Sequence, residues 1–121
     1  MVKQIIVIRK DLGMRRGKEI VTCSHASMAF LVNNPDRIND ILQSQTYKSW
    51  VDNNYTKICL QVSSLEDLLA VARLADEVGV ECHIIEDIGA TEFSEPTITC
   101  LALGPDQDEK LRSITKYLKL Y

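Results

Sequence analysis

Residues 55–85, YTKICLQVSSLEDLLAVARLADEVGVECHII, decide the fold. Residues 55–62 are rich in β-branched and apolar side chains and partly alternate, which predicts a strand. Ser63-x-x-Glu66 matches a capping box, in which the serine and the acid each satisfy an orphan backbone N–H of a starting helix. Leu65, Leu68, Leu69, Ala72, Ala75 and Val78 then recur at helical spacing. Gly79 falls where a helix ends in the left-handed region, and residues 81–85 read as the next strand. Strand, helix, strand in this order predicts a right-handed parallel crossover.

On the N-terminal side, residues 3–9 (KQIIVIR) read as a buried strand and residues 11–17 as a loop with glycines at positions 13 and 17. Residues 17–32 carry apolar side chains at helical spacing. Asn34-Pro35 predicts a second helix, with Asn as cap and Pro at the first position, where its missing N–H costs nothing. A further piece runs through Tyr47, Trp50 and Val51. On the C-terminal side, residues 86–96 form a polar loop and residues 97–103 (TITCLAL) a strand ended by Gly104-Pro105. Asp106-x-x-Glu109 then caps a last helix. The expected order is β-α-α-β-α-β-β-α. It makes an α/β fold with a mixed four-stranded sheet and helices on both faces, its last two strands antiparallel. At 121 residues the chain is expected to form a single domain, 1–121.

Composition narrows the class. With 45% hydrophobic and 26% charged residues, disorder and low-complexity architectures are excluded. The run Ile5-Ile6-Val7-Ile8 is far shorter than the ~20 residues of a membrane span, and no signal-peptide pattern opens the chain. Cys23, Cys59, Cys82 and Cys100 contain no CxxC pair, and read as reduced thiols of a cytoplasmic protein with no membrane partner. Net charge is -3, yet residues 1–18 hold six Lys/Arg and one acid, while residues 66–95 hold nine acids and one base. An anionic partner would dock on the basic segment, through Coulomb attraction and counterion release, with Arg15 and Arg16 as contacts. A solvated basic loop explains the same charges equally well.

Three stretches can carry chemistry. Gly13-Met14-Arg15-Arg16-Gly17-Lys18-Glu19 lies between a strand and a helix, but has three residues between its glycines and no Ser/Thr after the lysine, unlike a nucleotide-hydrolase phosphate loop. A glycine turn feeding a helix N-terminus still offers N–H groups to an anion. Lys18 stands in the first helical turn, against the helix dipole, which favours a functional placement. Cys23-Ser24-His25 lacks a second pair at ligand spacing, so no metal is expected, and His25 remains as a hydrogen-bonding group. Residues 86–92 (EDIGATE) place acids, a glycine and a hydroxyl at the carboxyl end of the third strand, where ligands of open α/β sheets bind. A solvated acidic loop is the alternative.

Taken together, Asp11-Leu12-Gly13-Met14, Gly17-Lys18, Cys23-Ser24-His25-Ala26, Asp87-x-Gly89-x-Thr91, Thr97-x-Thr99 and Leu103-Gly104-Pro105 resemble, in order and near spacing, the type-two peptidyl-tRNA hydrolase family of archaea and eukaryotes. The resemblance spans almost the whole chain. It implies hydrolysis of the ester joining a peptide to tRNA, with no metal or cofactor, in a protein that is often a homodimer. It implies Lys18 and Asp87 as the central catalytic pair, Thr91 as a catalytic hydroxyl, and His25 and Thr99 as substrate-binding residues. The chain departs from the family pattern at Ala90, usually Arg, at Glu92, usually Gln, at Thr22, usually Gln, and at Glu95-Pro96, usually Pro-Gly. Those departures raise a second expectation, a non-catalytic RNA- or protein-binding member of the same fold. A nucleotide-phosphate-binding module resting on the glycine turn is a third.

Overall fold

The computed structural model describes residues 1–89 and 93–121. The elements are β1 (Val2–Arg9), α1 (Arg16–Val32), α2 (Ile38–Gln43), α3 (Gln45–Asp52), β2 (Lys57–Val62), α4 (Leu65–Val78), β3 (Cys82–Asp87), β4 (Thr97–Gln107), α5 (Asp108–Thr115) and β5 (Lys119–Leu120), with a 3-10 turn at Lys10–Leu12. They build one mixed sheet in the order β3-β4-β1-β2-β5. β1 runs parallel to β2 and antiparallel to β4, which pairs antiparallel with β3.

The alternation along the central strands fills two cores. Ile5, Val7, Leu60, Val62, Leu101 and Leu103 point to one face, where α4 supplies Leu68, Val71 and Ala75 and α5 supplies Leu111 and Ile114. Ile6, Ile8, Cys100 and Ala102 point to the other, beneath Ala26 of α1. β1 is buried on both faces, which is why it reads as an unbroken aliphatic run rather than an alternating one. A third cluster joins Val2, Phe30 and Trp50. There the Trp50 indole packs edge-on to Phe30 at 5.7 Å and donates to the Thr56 carbonyl at 2.9 Å, anchoring α3.

The mixed α/β sheet, its helices on both faces and the antiparallel β3–β4 pair agree with expectation. The strand count does not: β5 adds a fifth strand by pairing antiparallel with the open edge of β2. Two residues carry too little pattern to be seen in sequence.

Four boundaries also move. The helix over 65–78 is capped by Ser64, whose hydroxyl accepts from the Asp67 N–H, and not by Ser63. Asn34 does not cap α2, which starts at Ile38; its amide instead donates to the Phe30 carbonyl at the end of α1 and to Glu81. β4 continues through Gly104-Pro105 to Gln107 because β1 goes on pairing with it as far as Val2. Asp106 is therefore in the strand, and α5 starts at Asp108 with no side-chain cap. β3 likewise extends to Asp87, because Glu86 and Asp87 pair with Ile98 and Thr97.

Candidate active site

The strand boundary at Asp87 sets the site. As the last residue of β3, Asp87 has a defined direction that a loop residue would lack. It points across to the first turn of α1, where the Lys18 ammonium forms an ion pair with its Oδ2. Its Oδ1 accepts the Gly89 N–H at 2.8 Å, an Asx-type turn that fixes the carboxylate. Gly89 holds φ at +86°, and a Cβ there would meet the Glu95 backbone at 2.8 Å, so only glycine fits. The two charged side chains are 13% and 10% exposed. At that level of burial the ion pair helps to offset the desolvation of both charges.

The start of α1 is arranged differently from a phosphate cradle. Gly13, at φ 60°, closes the 3-10 turn, and its N–H donates to the Lys10 carbonyl. Gly17 already lies inside α1. Lys18 is turned toward the acid on β3. The acid offsets the unfavourable placement of a cation at a helix N-terminus.

Thr99 comes to the same region through a β-bulge. The β3–β4 register slips between Ile85 and Glu86, which pair with Cys100 and Ile98 and leave Thr99 as the extra residue. Ile98 packs into one core and Cys100 into the other, so Thr99 and Cys100 both turn toward α1. The Thr99 hydroxyl is fully buried, shares a hydrogen bond of 2.6 Å with Thr22 of α1, and donates to the Ile85 carbonyl at 3.4 Å. Sequence reasoning did not single out Thr22 as a site residue. It entered only as a departure from the family pattern; the further signal was its position four residues after Lys18, on the buried side of the same helix.

The remaining expected residues divide. Arg15 and Arg16 are exposed at the beginning of α1, whereas exposed Lys10, in the 3-10 turn, borders a cleft with Asp67 and Leu74 of α4 and Ile114 of α5. His25 is exposed on α1, seven residues beyond Lys18 and so along the same side of the helix. Thr91, with Ala90 and Glu92, lies outside the described residues. The basic segment is also less uniform in space than in sequence. Arg9 forms a bidentate pair with Asp11 and donates to the Ile98 carbonyl, and Lys3 pairs with Asp108 at the opposite end of β1. A surface cleft of about 360 Å3 lined by Phe30, Tyr47, Glu81 and Pro105 lies at that opposite end of the sheet, away from Lys18 and Asp87.

Among known proteins, the sequence matches the family described as peptidyl-tRNA hydrolase PTH2 over residues 2–121. It is 43% identical over 124 residues to a peptidyl-tRNA hydrolase of Nanoarchaeum equitans, each chain covered in full. It is 35% identical over 118 residues to one of Thermoplasma acidophilum, covering 98% of this chain and 97% of that one. A probable peptidyl-tRNA hydrolase 2 of Dictyostelium discoideum is 36% identical over 119 residues, which are 98% of this chain and 54% of the relative. A solved structure of a protein of unknown function from Agrobacterium superposes with a TM-score of 0.55 at 12% identity, covering 99% of this chain and 97% of that one, and shares the fold. With matches running end to end at this identity, the chain belongs to the peptidyl-tRNA hydrolase PTH2 family.

Proposed function

We infer that the protein hydrolyses the ester bond between a peptide and tRNA, and that Lys18 and Asp87 carry the reaction. The observation behind the assignment of residues is their ion pair, formed between two elements 69 residues apart in a chain that matches the family over its length. Ester hydrolysis needs an attacking water relieved of its proton and a carbonyl oxygen stabilised as it gains charge. Asp87 holds the Lys18 ammonium in a fixed direction, and that ammonium stabilises the carbonyl oxygen. Asp87 also accepts the proton of the attacking water. The water oxygen bonds to the carbonyl carbon, the bond to the ribose oxygen breaks, and the proton passes to the leaving oxygen. Free peptide and free tRNA result.

Exposed Arg15 and Arg16, at the start of the helix that carries Lys18, supply cations for the tRNA phosphates. Thr99, being buried, serves the site by positioning; Thr91 and His25 are the groups read as facing substrate. The 121 residues act as one domain. Exposed Ile20, Val21, Met28 and Val32 on α1 give an apolar face suited to a homodimer. Four unpaired thiols fit a reducing, cytoplasmic setting.

Hydrolysis of peptidyl-tRNA under single-turnover conditions tests the reading. Lys18→Ala and Asp87→Asn are each expected to lower the rate by about 10²–10³-fold, the scale of losing one preorganised electrostatic group. Wild-type rates in both variants would overturn the assignment of residues. No turnover by the wild-type protein in excess over substrate, with binding retained, would establish the non-catalytic reading.

A further inference from the structure

The β1–β4 ladder stops at the pair Ile8 and Cys100, one step short of the bulge at Thr99. Beyond it, a side chain holds the end of β4 on the β1 side. The Arg9 guanidinium donates through Nη1 to the Ile98 carbonyl at 3.0 Å. The same group forks onto Asp11, with Nε donating to Oδ1 at 3.2 Å and Nη2 to Oδ2 at 2.7 Å. A planar guanidinium serves both partners at once because its donors point in fixed, separate directions. The Arg9 side chain is 13% exposed, so these bonds are largely shielded from water.

Each partner leads to one half of the candidate pair. Ile98 pairs with Glu86, and Thr97 with Asp87 itself, so the bond to the Ile98 carbonyl fixes the stretch of β4 against which Asp87 is laid. Asp11 lies in the 3-10 turn that closes at Gly13, and Leu12 and Met14, on either side of that glycine, pack into the core beneath α1. α1 starts two residues after Met14, with Lys18 in its first turn. Arg9 does not share their side of the sheet. Val7 faces the α4 core and Ile8 the α1 core, so the next step of the alternation gives Arg9 to the α4 side, where Asp11 lines a cleft with Asp67. We propose that Arg9 is a positioning residue of the reaction, a clamp that sets Lys18 against Asp87 from behind the sheet; this rests on the assignment of that pair to ester hydrolysis.

The clamp acts on the chemical step and not on docking. With the two walls of the site loosened, substrate still binds through its other contacts, but the ammonium and the carboxylate no longer meet the ester in one productive geometry. Misplacement on the order of 1 Å costs about 10²-fold in rate. Charge alone does not supply the clamp. A lysine at position 9 carries the cation without the fork, and its compact ammonium cannot reproduce three bonds in one plane to Asp11 and the Ile98 carbonyl.

Arg9→Met, Arg9→Lys and Asp11→Ala test the proposal in peptidyl-tRNA hydrolysis, each assayed well below its own unfolding temperature. Arg9→Met and Arg9→Lys should both lower kcat by about 10–100-fold and leave KM within about twofold. Asp11→Ala, which opens only the turn side of the clamp, should lower kcat in the same way but by less, and it decides the matter by itself where Arg9→Met does not fold. In a Lys18→Ala background, Arg9→Met should cost no more than about a further twofold, since the clamp acts through the ammonium. Exchange of the Gly89 amide proton, which Asp87 accepts, reads the clamp without substrate. It should quicken by at least about 5-fold in Arg9→Met, while the Gly79 amide at the end of α4 keeps its rate. A wild-type protein without turnover would refute the hydrolase reading, and the Gly89 exchange would then decide the clamp. Full kcat in folded Arg9→Met, a raised KM with kcat unchanged, full rescue by lysine, an undiminished loss in the Lys18→Ala background, or unchanged Gly89 exchange would each overturn it.

Discussion

Thr22 of α1 and Thr99 of β4 are joined hydroxyl to hydroxyl at 2.6 Å in the buried interior, one helical turn from Lys18 and two strand residues from the Asp87 partner Thr97. This bond ties the helix that carries the candidate ammonium to the strand that neighbours the candidate carboxylate. The ion pair between Lys18 and Asp87 thus has a neutral hydrogen bond behind it, placed on the same two walls of the site.

Removing one hydroxyl leaves the other short of a partner in a place water does not reach. Thr22→Val and Thr99→Val should each lose about 1–3 kcal/mol of stability. The double variant should lose less than the sum of the two, because each single variant already breaks the shared hydrogen bond. Urea denaturation of the three variants measures this. Strict additivity would mean that the two hydroxyls do not depend on one another.

The same reasoning gives a sharper outcome at the ion pair. If Asp87 acts largely by holding Lys18, the Lys18→Ala and Asp87→Asn effects on kcat are not independent. The double variant should be no more than about 10-fold slower than the slower single one, as for groups that act as a unit. A double variant slowed by the product of both single effects would show two separate contributions and would remove Asp87 from its positioning role.

Much of this arrangement was legible in the sequence, and the exceptions have physical causes. Periodicity over 65–78 and the aliphatic run of β1 established an α/β sheet, since each pattern admits few partners. That Lys18 and Asp87 face one another followed from a family resemblance; spacing alone does not bring together residues 69 apart. Thr22 was visible only as a departure from the family pattern, because a buried threonine in a helix looks like any other core position until the bulge at Thr99 is known. Ser63 and Ser64 are both able to cap. The choice fell to Ser64, in the frame where Leu68, Val71 and Ala75 face the sheet. Tertiary pairing overrode the Gly104-Pro105 stop, since the β1–β4 ladder extends past it. Lys3 belongs to the basic segment in sequence, yet the strand carries it to the far end of the molecule and to Asp108.

That last pair makes a pH-dependent contribution of known sign. The hydrogen bond from Lys3 holds the Asp108 carboxyl below its ordinary value despite partial burial, with Arg112 and the chain's amino terminus helping. A carboxyl whose pKa is lower in the folded chain stabilises above its unfolded value, and that stabilisation is lost as pH falls through the folded one. Lys3→Met should therefore cost up to about 1 kcal/mol at neutral pH, the scale of a partly exposed pair. The difference from wild type should shrink as pH falls below the ordinary aspartate value and through the lowered one. A difference independent of pH would assign the effect to the lysine's aliphatic stem.

Docking of the substrate makes a separate demand on charge. The acids of residues 66–95 work against a polyanion, and the proposed reading assigns its docking to the cations at Arg15 and Arg16. Affinity for tRNA should fall steeply between low and moderate salt, and Arg15→Glu with Arg16→Glu should weaken binding by at least about 10-fold while flattening the salt dependence. Binding measured by filter retention over a salt series reads both quantities. Unaltered affinity in the doubly reversed variant would move the tRNA path away from the start of α1.

The C-terminal residue offers a test at the alkaline end. The Tyr121 hydroxyl donates to the Glu19 carboxylate on α1, while its backbone follows β5 along β2. That hydrogen bond, with help from burial and from the charges of Glu19, Cys59 and Cys23, pushes the phenol up from 10.0 to about 12. The fold therefore favours the protonated phenol. Its contribution is complete below the unfolded value and is lost as pH rises through the folded one. Subtracting the tyrosinate absorbance titration of Tyr121→Phe from that of the wild type isolates this group, and the midpoint should fall near 12. Glu19→Gln, which keeps an acceptor but removes the charge, should bring the midpoint part of the way back. A midpoint at the ordinary tyrosine value in the wild type would place the phenol in solvent and detach the last residue from α1.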